Sequence, residues 1–273
     1  MSAINTNIGA IRAHAHATKA SRLMEKHMDR LSSGVRINNP SDDAAGVAIA
    51  SKMYAQIRGI NMSIQNSSNG IGLIQTAESG TKEVMNMLFR LKELSVQMHN
   101  GVYSAEDRAN ADIEKEQLLL GINNITQNTK FNSVNLLDGS YTSQIQVGNS
   151  TSEIMTLAIP DIGLANLATG LDTISLTTAS GAASAATIIE TAIDTLAEEQ
   201  SMLGAKQNRL QHNINYQANT VTQTEQARGR IIDTDYALET SELAKQQILS
   251  QAATSMLAHA NQSSDYLLNL IAS

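Results

Sequence analysis

Apolar residues return along most of this chain at alternating intervals of four and three. Ile4, Ile8, Ile11, Ala15 and Thr18 keep that spacing, and after a slip of phase Met24, Met28, Leu31 and Val35 keep it again. On a helix this puts one apolar stripe on one face, a heptad-like seam that predicts a coiled-coil partner. Ile57, Ile60, Ile64, Ser67, Ile71 and Ile74 repeat the pattern, Met87, Leu91, Leu94 and Met98 resume it, and Asn100–Gly101 breaks it. A further helix is predicted from Ala105 to Asn128, with Ile113, Leu118, Leu120, Ile122 and Ile125 as its apolar positions. The cleanest run is Ile189, Ile193, Leu196, Gln200, Leu203, Gln207, Leu210, Ile214, Gln217 and Val221, more than 30 residues with Gly204 as the one breaker. That predicts a helix roughly 50 Å long at about 1.5 Å per residue. Its glutamines fit a helix that meets both partner helices and water. Leu249, Ala253, Met256, Ala260, Ser263, Leu267 and Leu270 close the chain with a last amphipathic stripe.

The middle departs from this rhythm. FNSVNLLDGSYTSQIQVG (Phe131–Gly148) has short apolar runs on either side of Asp138–Gly139, a hairpin signal. EIMTLAIP (Glu153–Pro160) predicts another strand, and residues 161–187, rich in Gly, Ala, Ser and Thr, predict loops or short elements. The fold class is therefore mainly α. Long antiparallel helices form a terminal coiled coil and a helical bundle, with a small β-hairpin region in the middle of the chain.

Charge changes the picture at the ends. Residues 1–40 carry six bases (Arg12, Lys19, Arg22, Lys26, Arg30, Arg36) and two acids, whereas residues 231–273 carry five acids (Asp233, Asp235, Glu239, Glu242, Asp265) and one base, Lys245. Either the two ends meet, in one molecule or between neighbours, or they are separately solvated faces. Over residues 2–35 the large apolar side chains are Ile4, Ile8, Ile11, Leu23, Met24, Met28, Leu31 and Val35. Burying these cannot by itself offset the entropy of ordering the whole segment. Both termini are thus expected to be mobile in the monomer and ordered in an assembly.

Composition removes whole classes of function. The 273 residues include no Cys, which excludes disulfides and thiol chemistry, and the net charge of −7 predicts no general nucleic-acid affinity. No 18-residue apolar run occurs, so membrane insertion is not expected. MSAINTNIGAIRAHAHATKA lacks a charged lead followed by an apolar core, so no cleaved secretory signal is expected. HExxH, GxxxxGK[ST] and GxSxG are missing. His14 and His16 diverge on a helix, and Glu114 and Glu116 do not converge, so neither a metal site nor an acid/base pair is nominated. No cofactor is expected, and no enzyme activity.

One stretch needs a decision: RLSSGVRINNPSDDAAGVAIA (Arg30–Ala50). Asp42–Asp43 alone is a poor divalent-ion site for want of further oxygen ligands. Asn39 as N-cap, Pro40 at the first helical position and Asp42 at the third instead predict a helix start. Gly34 predicts the end of the preceding helix. The small residues that follow, Gly46 among them, predict close approach of a neighbouring backbone. Gly34, Pro40, Asp42, Asp43 and Gly46 then form a joint, and Gly46→Leu is expected to impair assembly more than folding.

INTNIGAI (Ile4–Ile11), LSSGVRINNPSDDAAGVAIA (Leu31–Ala50), FRLKELSVQ (Phe89–Gln97), FNSVNLL (Phe131–Leu137), IQVG (Ile145–Gly148) and ARGRIIDTDYALETSELAKQQILSQAATSMLAHANQ (Ala227–Gln262) together resemble the bacterial flagellins. The resemblance covers roughly residues 1–148 and 185–273. It implies a structural subunit whose terminal helices, 1–40 and 231–273, pair in the inner tube of a filament. It implies that 41–180 and 181–230 form a core rod domain, and that no large outer domain is inserted. Ile4, Ile8, Ile11, Leu31, Leu249, Met256, Leu267 and Leu270 are then the polymerisation seam. The partners it implies are further copies of the chain, the flagellar type III export apparatus, the filament cap, an export chaperone and an innate-immune receptor. The receptor contacts map to Arg90, Leu94 and Glu114, while Phe89 stands where the family usually has a polar residue. Other readings on the same scaffold are a hook–filament junction adaptor and a cell-surface glycan-binding protein.

Overall fold

A computed structural model describes residues 6–272, with side chains described as far as Ser263. Helix α1 (Ile8–Ser33) is opened by Asn7, whose side chain accepts from the Ala10 amide at 2.9 Å, and closed by Gly34 in the left-handed conformation at φ 72°. Helices α2 (Ala44–His99) and α3 (Ala105–Asn128) follow, with α3 over the range its sequence predicts. Ser104 and Asp107 form a reciprocal capping box there. Strands β1 (Lys130–Phe131), β2 (Val134–Asn135), β3 (Thr142–Gln146) and β4 (Ile154–Ala158) come next. Then come the four-residue α4 (Leu164–Leu167), a 3-10 turn (Leu171–Thr173), the long α5 (Ala179–Ile232) and α6 (Tyr236–Ala272).

The strands make two antiparallel hairpins, β1–β2 and β3–β4, rather than one centred on Asp138–Gly139. The first turns through Asn132 and Ser133, both at positive φ (49° and 68°), as a two-residue hairpin turn requires. Gly139 serves a different purpose: at φ 72° it brings the chain against Asp161, where a Cβ would stand 3.2 Å from the Asp161 backbone nitrogen. On β4 Met155 and Leu157 are buried while Ile154, Thr156 and Ala158 face outward, a period of two.

The described chain divides into two compact units, Met1–Ala55 with Gln223–Ser273, and Gln56–Thr222. The divisions fall inside α2 and α5, away from residues 40 and 231 where the sequence suggests them. The second unit holds a continuous apolar core. Ile74, Leu88 and Leu91 of α2, Ile122 of α3, Leu157 of β4 and Ile189 and Leu196 of α5 all belong to it. Lys115 is buried within this unit. Its ammonium donates to the Ile174 carbonyl at 2.9 Å and lies 3.2 Å from Asp112, whose carboxylate accepts from the Leu176 amide at 2.8 Å. That pair fastens the turn before α5 to α3.

Candidate assembly surface

Helices α1 and α6 pair antiparallel. Asn7 Nδ2 donates to the Ala260 carbonyl at 2.8 Å near one end, and Arg30 meets Glu239 at 3.1 Å near the other. The heptad positions turned inward on α1 are Ala10, Ala13, Ala17, Ala20, Met24, His27 and Leu31, with Leu23 and Arg30 half-buried beside them. On α6 they are Glu239, Leu243, Gln246, Ser250, Ala253, Leu257 and Ala260. Each set is an unbroken heptad. The apparent slip of phase on α1 comes from following isoleucines instead of alanines.

Most of the sequence-derived seam residues lie beside this intramolecular seam. Within the chain Ile8 (52%), Ile11 (59%), Leu249 (47%) and Met256 (64%) are exposed, next to the seam and not in it, as are Met28 and Ile248. Leu31 does lie in the seam, half-buried, and the tyrosine hydroxyl of Tyr236 donates to its carbonyl at 2.6 Å. Ile4 lies outside the described residues, as do the side chains of Leu267 and Leu270. Most seam positions are small or polar, with Met24, Leu31, Leu243 and Leu257 as its large apolar members, and further large apolar groups are left on the outer faces. Along one side runs an open groove of about 760 Å³, walled by Ala13, Ala20, Leu249, Ala253 and Met256 together with Arg12, His16, Lys19 and His259.

The basic and acidic ends meet inside one molecule. Glu239, 6% exposed, receives Arg30 and stands 3.3 Å from His27 Nδ1. Charge counting alone leaves that open: Arg30 and Glu239 count there only among the charges of the two ends, and His27 and Glu239 fall on the inward heptad with Arg30 beside it. The connectors pair as well: the Arg36 amide donates to the Ile232 carbonyl at 2.6 Å and the Thr234 amide to the Gly34 carbonyl at 3.1 Å.

The joint is built differently from its sequence reading. Gly34 ends α1 as expected. Asn39 to Asp42, with Pro40, form a turn closed by the Asp42 amide on the Asn39 carbonyl at 2.9 Å, so Asn39 is not the N-cap of α2. That role belongs to Asp43, whose carboxylate accepts from the Gly46 amide at 2.9 Å. Asp42 points back at α1. Its carboxylate takes Lys26 at 2.6 Å and the Asn38 and Asn39 amides at 3.3 Å each, with Arg30 3.8 Å away. The Lys26 ammonium and these amides hold the Asp42 carboxyl below its usual range despite some desolvation. Gly46 is buried against its own chain: a Cβ there would stand 2.8 Å from Ile37 Cδ1 and 2.5 Å from Asp43 Oδ2. The close approach is internal, so a large residue at 46 strains the fold itself, where the sequence reading expects assembly to suffer more than folding.

Arg90 and Glu114 are brought together, Nε to Oε1 at 2.7 Å, with Glu93 3.1 Å from the same guanidinium. Both carboxylates raise the Arg90 pKa. Leu94 is only 3% exposed and packs in the core. Phe89 is exposed beside them.

Among the described residues no group of His, Asp or Glu is placed to hold a metal, and no helix is long and apolar enough to cross a membrane. A helix pair with small residues inside and large apolar residues outside defines a structural subunit made to pack against further chains. The bacterial flagellin N-terminal helical region matches residues 4–142, and the bacterial flagellin C-terminal helical region matches residues 186–271. The flagellin of Halalkalibacterium halodurans is 40% identical over 98% of this chain and 99% of its own. That of Bacillus subtilis is 36% identical over the same shares. The crystal structure of Bacillus cereus flagellin superposes with a TM-score of 0.52 at 29% identity, covering 56% of this chain and 88% of that one. The chain belongs to the flagellin family, the structural subunits of the bacterial flagellar filament.

Proposed function

We propose that the α1–α6 pair is the polymerising element of this subunit, and that Ile8, Ile11, Met28, Ile248, Leu249 and Met256 are the groups covered by neighbouring copies. The observation that carries this reading is their exposure, 47–66% for each, on a helix pair whose own seam is mostly small or polar. Several large apolar groups left in water on one helix pair suit an interaction face. A seam so poor in large side chains also leaves the pair weakly held in a free subunit, and packing between copies supplies the missing burial.

Export through the flagellar type III apparatus, handling by an export chaperone and placement under a filament cap complete the reading. It rests on the family alone. For the innate-immune receptor, the exposed Arg90–Glu114 pair is the accessible part of the surface, and Leu94 acts only by packing beneath it. Purified subunit added to filament seeds and followed by electron microscopy tests the central claim. Elongation is expected from the full chain and none from a variant lacking residues 1–35. Normal elongation by that variant overturns it.

A further inference from the structure

We propose that Asn100 is a site of spontaneous deamidation, held ready by the turn between α2 and α3. The chain contains two Asn–Gly pairs, Asn69–Gly70 and Asn100–Gly101, and the fold treats them in opposite ways. Asn100 and Gly101 lie just past the last residue of α2, both exposed, and nothing comes within 4 Å of the place a Gly101 Cβ would take. The Asn100 side chain is folded over the peptide that follows it, because the Val102 amide donates to Asn100 Oδ1 at 3.2 Å. That same donor polarises the side-chain carbonyl and stabilises negative charge developing on its oxygen.

The chemistry needs only water. The Gly101 backbone nitrogen attacks Asn100 Cγ, the bond from Cγ to Nδ2 breaks, and Nδ2 leaves as ammonia with the proton given up by the Gly101 amide. The five-membered succinimide then takes up one water. Attack at Cγ yields aspartate, and attack at the backbone carbonyl yields isoaspartate. Asparagine plus water becomes acid plus ammonia, and nothing is oxidised or reduced.

Asn69–Gly70 has the same two residues and none of this geometry. It sits in the middle of α2, where the Gly70 nitrogen is tied into the helical ladder, and Gly70 is buried with Ile145 Cδ1 2.5 Å from where a Cβ would stand. It is therefore an internal control. The change at Asn100 also has a structural consequence. Arg108 holds the end of α2 by donating to the Asn100 carbonyl at 3.0 Å and to the Met98 carbonyl at 2.9 Å. An isoaspartate reroutes the main chain through the side-chain carbons and displaces the first of those carbonyls. Either product places a new carboxylate at the C-terminal end of α2, where the helix dipole disfavours it.

The test is to age the full chain in mildly alkaline buffer and to map peptides by mass spectrometry with isoaspartate detection. Conversion at Asn100 is expected to exceed that at Asn69 by at least about tenfold, and Gly101→Ala to slow it by a similar factor. Position 101 has open space and no positive φ, so that variant folds. In urea the two sites of the parent chain should react at comparable rates, because the difference belongs to the fold. Equal rates at Asn69 and Asn100 in the native chain overturn the proposal, as does a Gly101→Ala variant that deamidates as fast as its parent.

Discussion

Alanine lines the inside of one unit of this protein, and leucine and isoleucine line the inside of the other. Among the described residues of the terminal unit, Ile37 is the only buried hydrophobic side chain larger than alanine, the rest being Ala13, Ala20, Ala50 and Ala253. The second unit buries Ile74, Leu88, Leu91, Ile122, Leu157, Ile189 and Leu196 completely or nearly so. Both are made of long helices with heptad-like spacing, so the backbone does not separate them. The placement of large apolar groups does: inward through the second unit, and largely outward on the terminal helix pair. One chain thus contains a finished core and an unfinished one.

The contrast breaks most visibly if the terminal helices are dispensable. Removing residues 1–35 is expected to abolish seed elongation, while the cooperative melt of the second unit, followed by calorimetry, survives. Next in size, Leu88→Ala in the finished core should cost about 2–5 kcal/mol in a denaturant titration, since Leu88 is fully enclosed. Ile11→Ser should leave the free subunit within about 0.5 kcal/mol of its parent, because Ile11 is already in water. It should nevertheless slow elongation. If Ile11→Ser destabilises the monomer as much as Leu88→Ala does, the outward apolar groups are ordinary core. Lys115→Met should cost about 1–3 kcal/mol, since the Ile174 carbonyl and Asp112 lose a buried donor. No change would mean that the turn before α5 is held by Leu176 and its apolar neighbours alone.

How much of this could be read beforehand follows from the same contrast. Periodicity placed α3 to its ends, but it left residues 179–187, the first turns of α5, among the loops because Gly, Ala, Ser and Thr there carry no large apolar stripe. It misplaced the α1–α6 seam, because a hydrophobic pattern follows the largest apolar groups. Here many of those groups face outward, while alanines and polar side chains take most of the positions between the two helices. The joint failed for a similar reason. Asn39–Pro40 has the chemistry of a helix start, but Lys26 and the Asn38 and Asn39 amides draw Asp42 into a turn, and capping passes to Asp43. The Asp138–Gly139 hairpin signal was likewise a close approach to Asp161, which depends on a residue far along the chain. Local propensity could not see any of these tertiary partners.

The smallest effect expected is also the one that separates the two units by sign. In the terminal unit Lys26 holds the Asp42 carboxyl below its ordinary 3.8. The unfolded chain therefore takes up that proton first, so the stabilisation is present above 3.8 and is lost as pH falls through the folded value. Asp42→Asn should weaken the terminal unit at neutral pH and match the parent only in strong acid. In the second unit Glu199 is the opposite case. Its Oε2 is buried without a hydrogen-bond partner, and burial, followed by the neighbouring Glu198, pushes its carboxyl above the ordinary 4.5 against the pull of Lys206. The folded state there binds the extra proton, so stability declines as pH rises from 4.5 through the folded value. Glu199→Gln, neutral throughout, should melt slightly above the parent at neutral pH and coincide with it below that window. A parent that melts higher at neutral pH would mean that Lys206 satisfies Glu199 as an ion pair. The two units would then answer acid in the same direction.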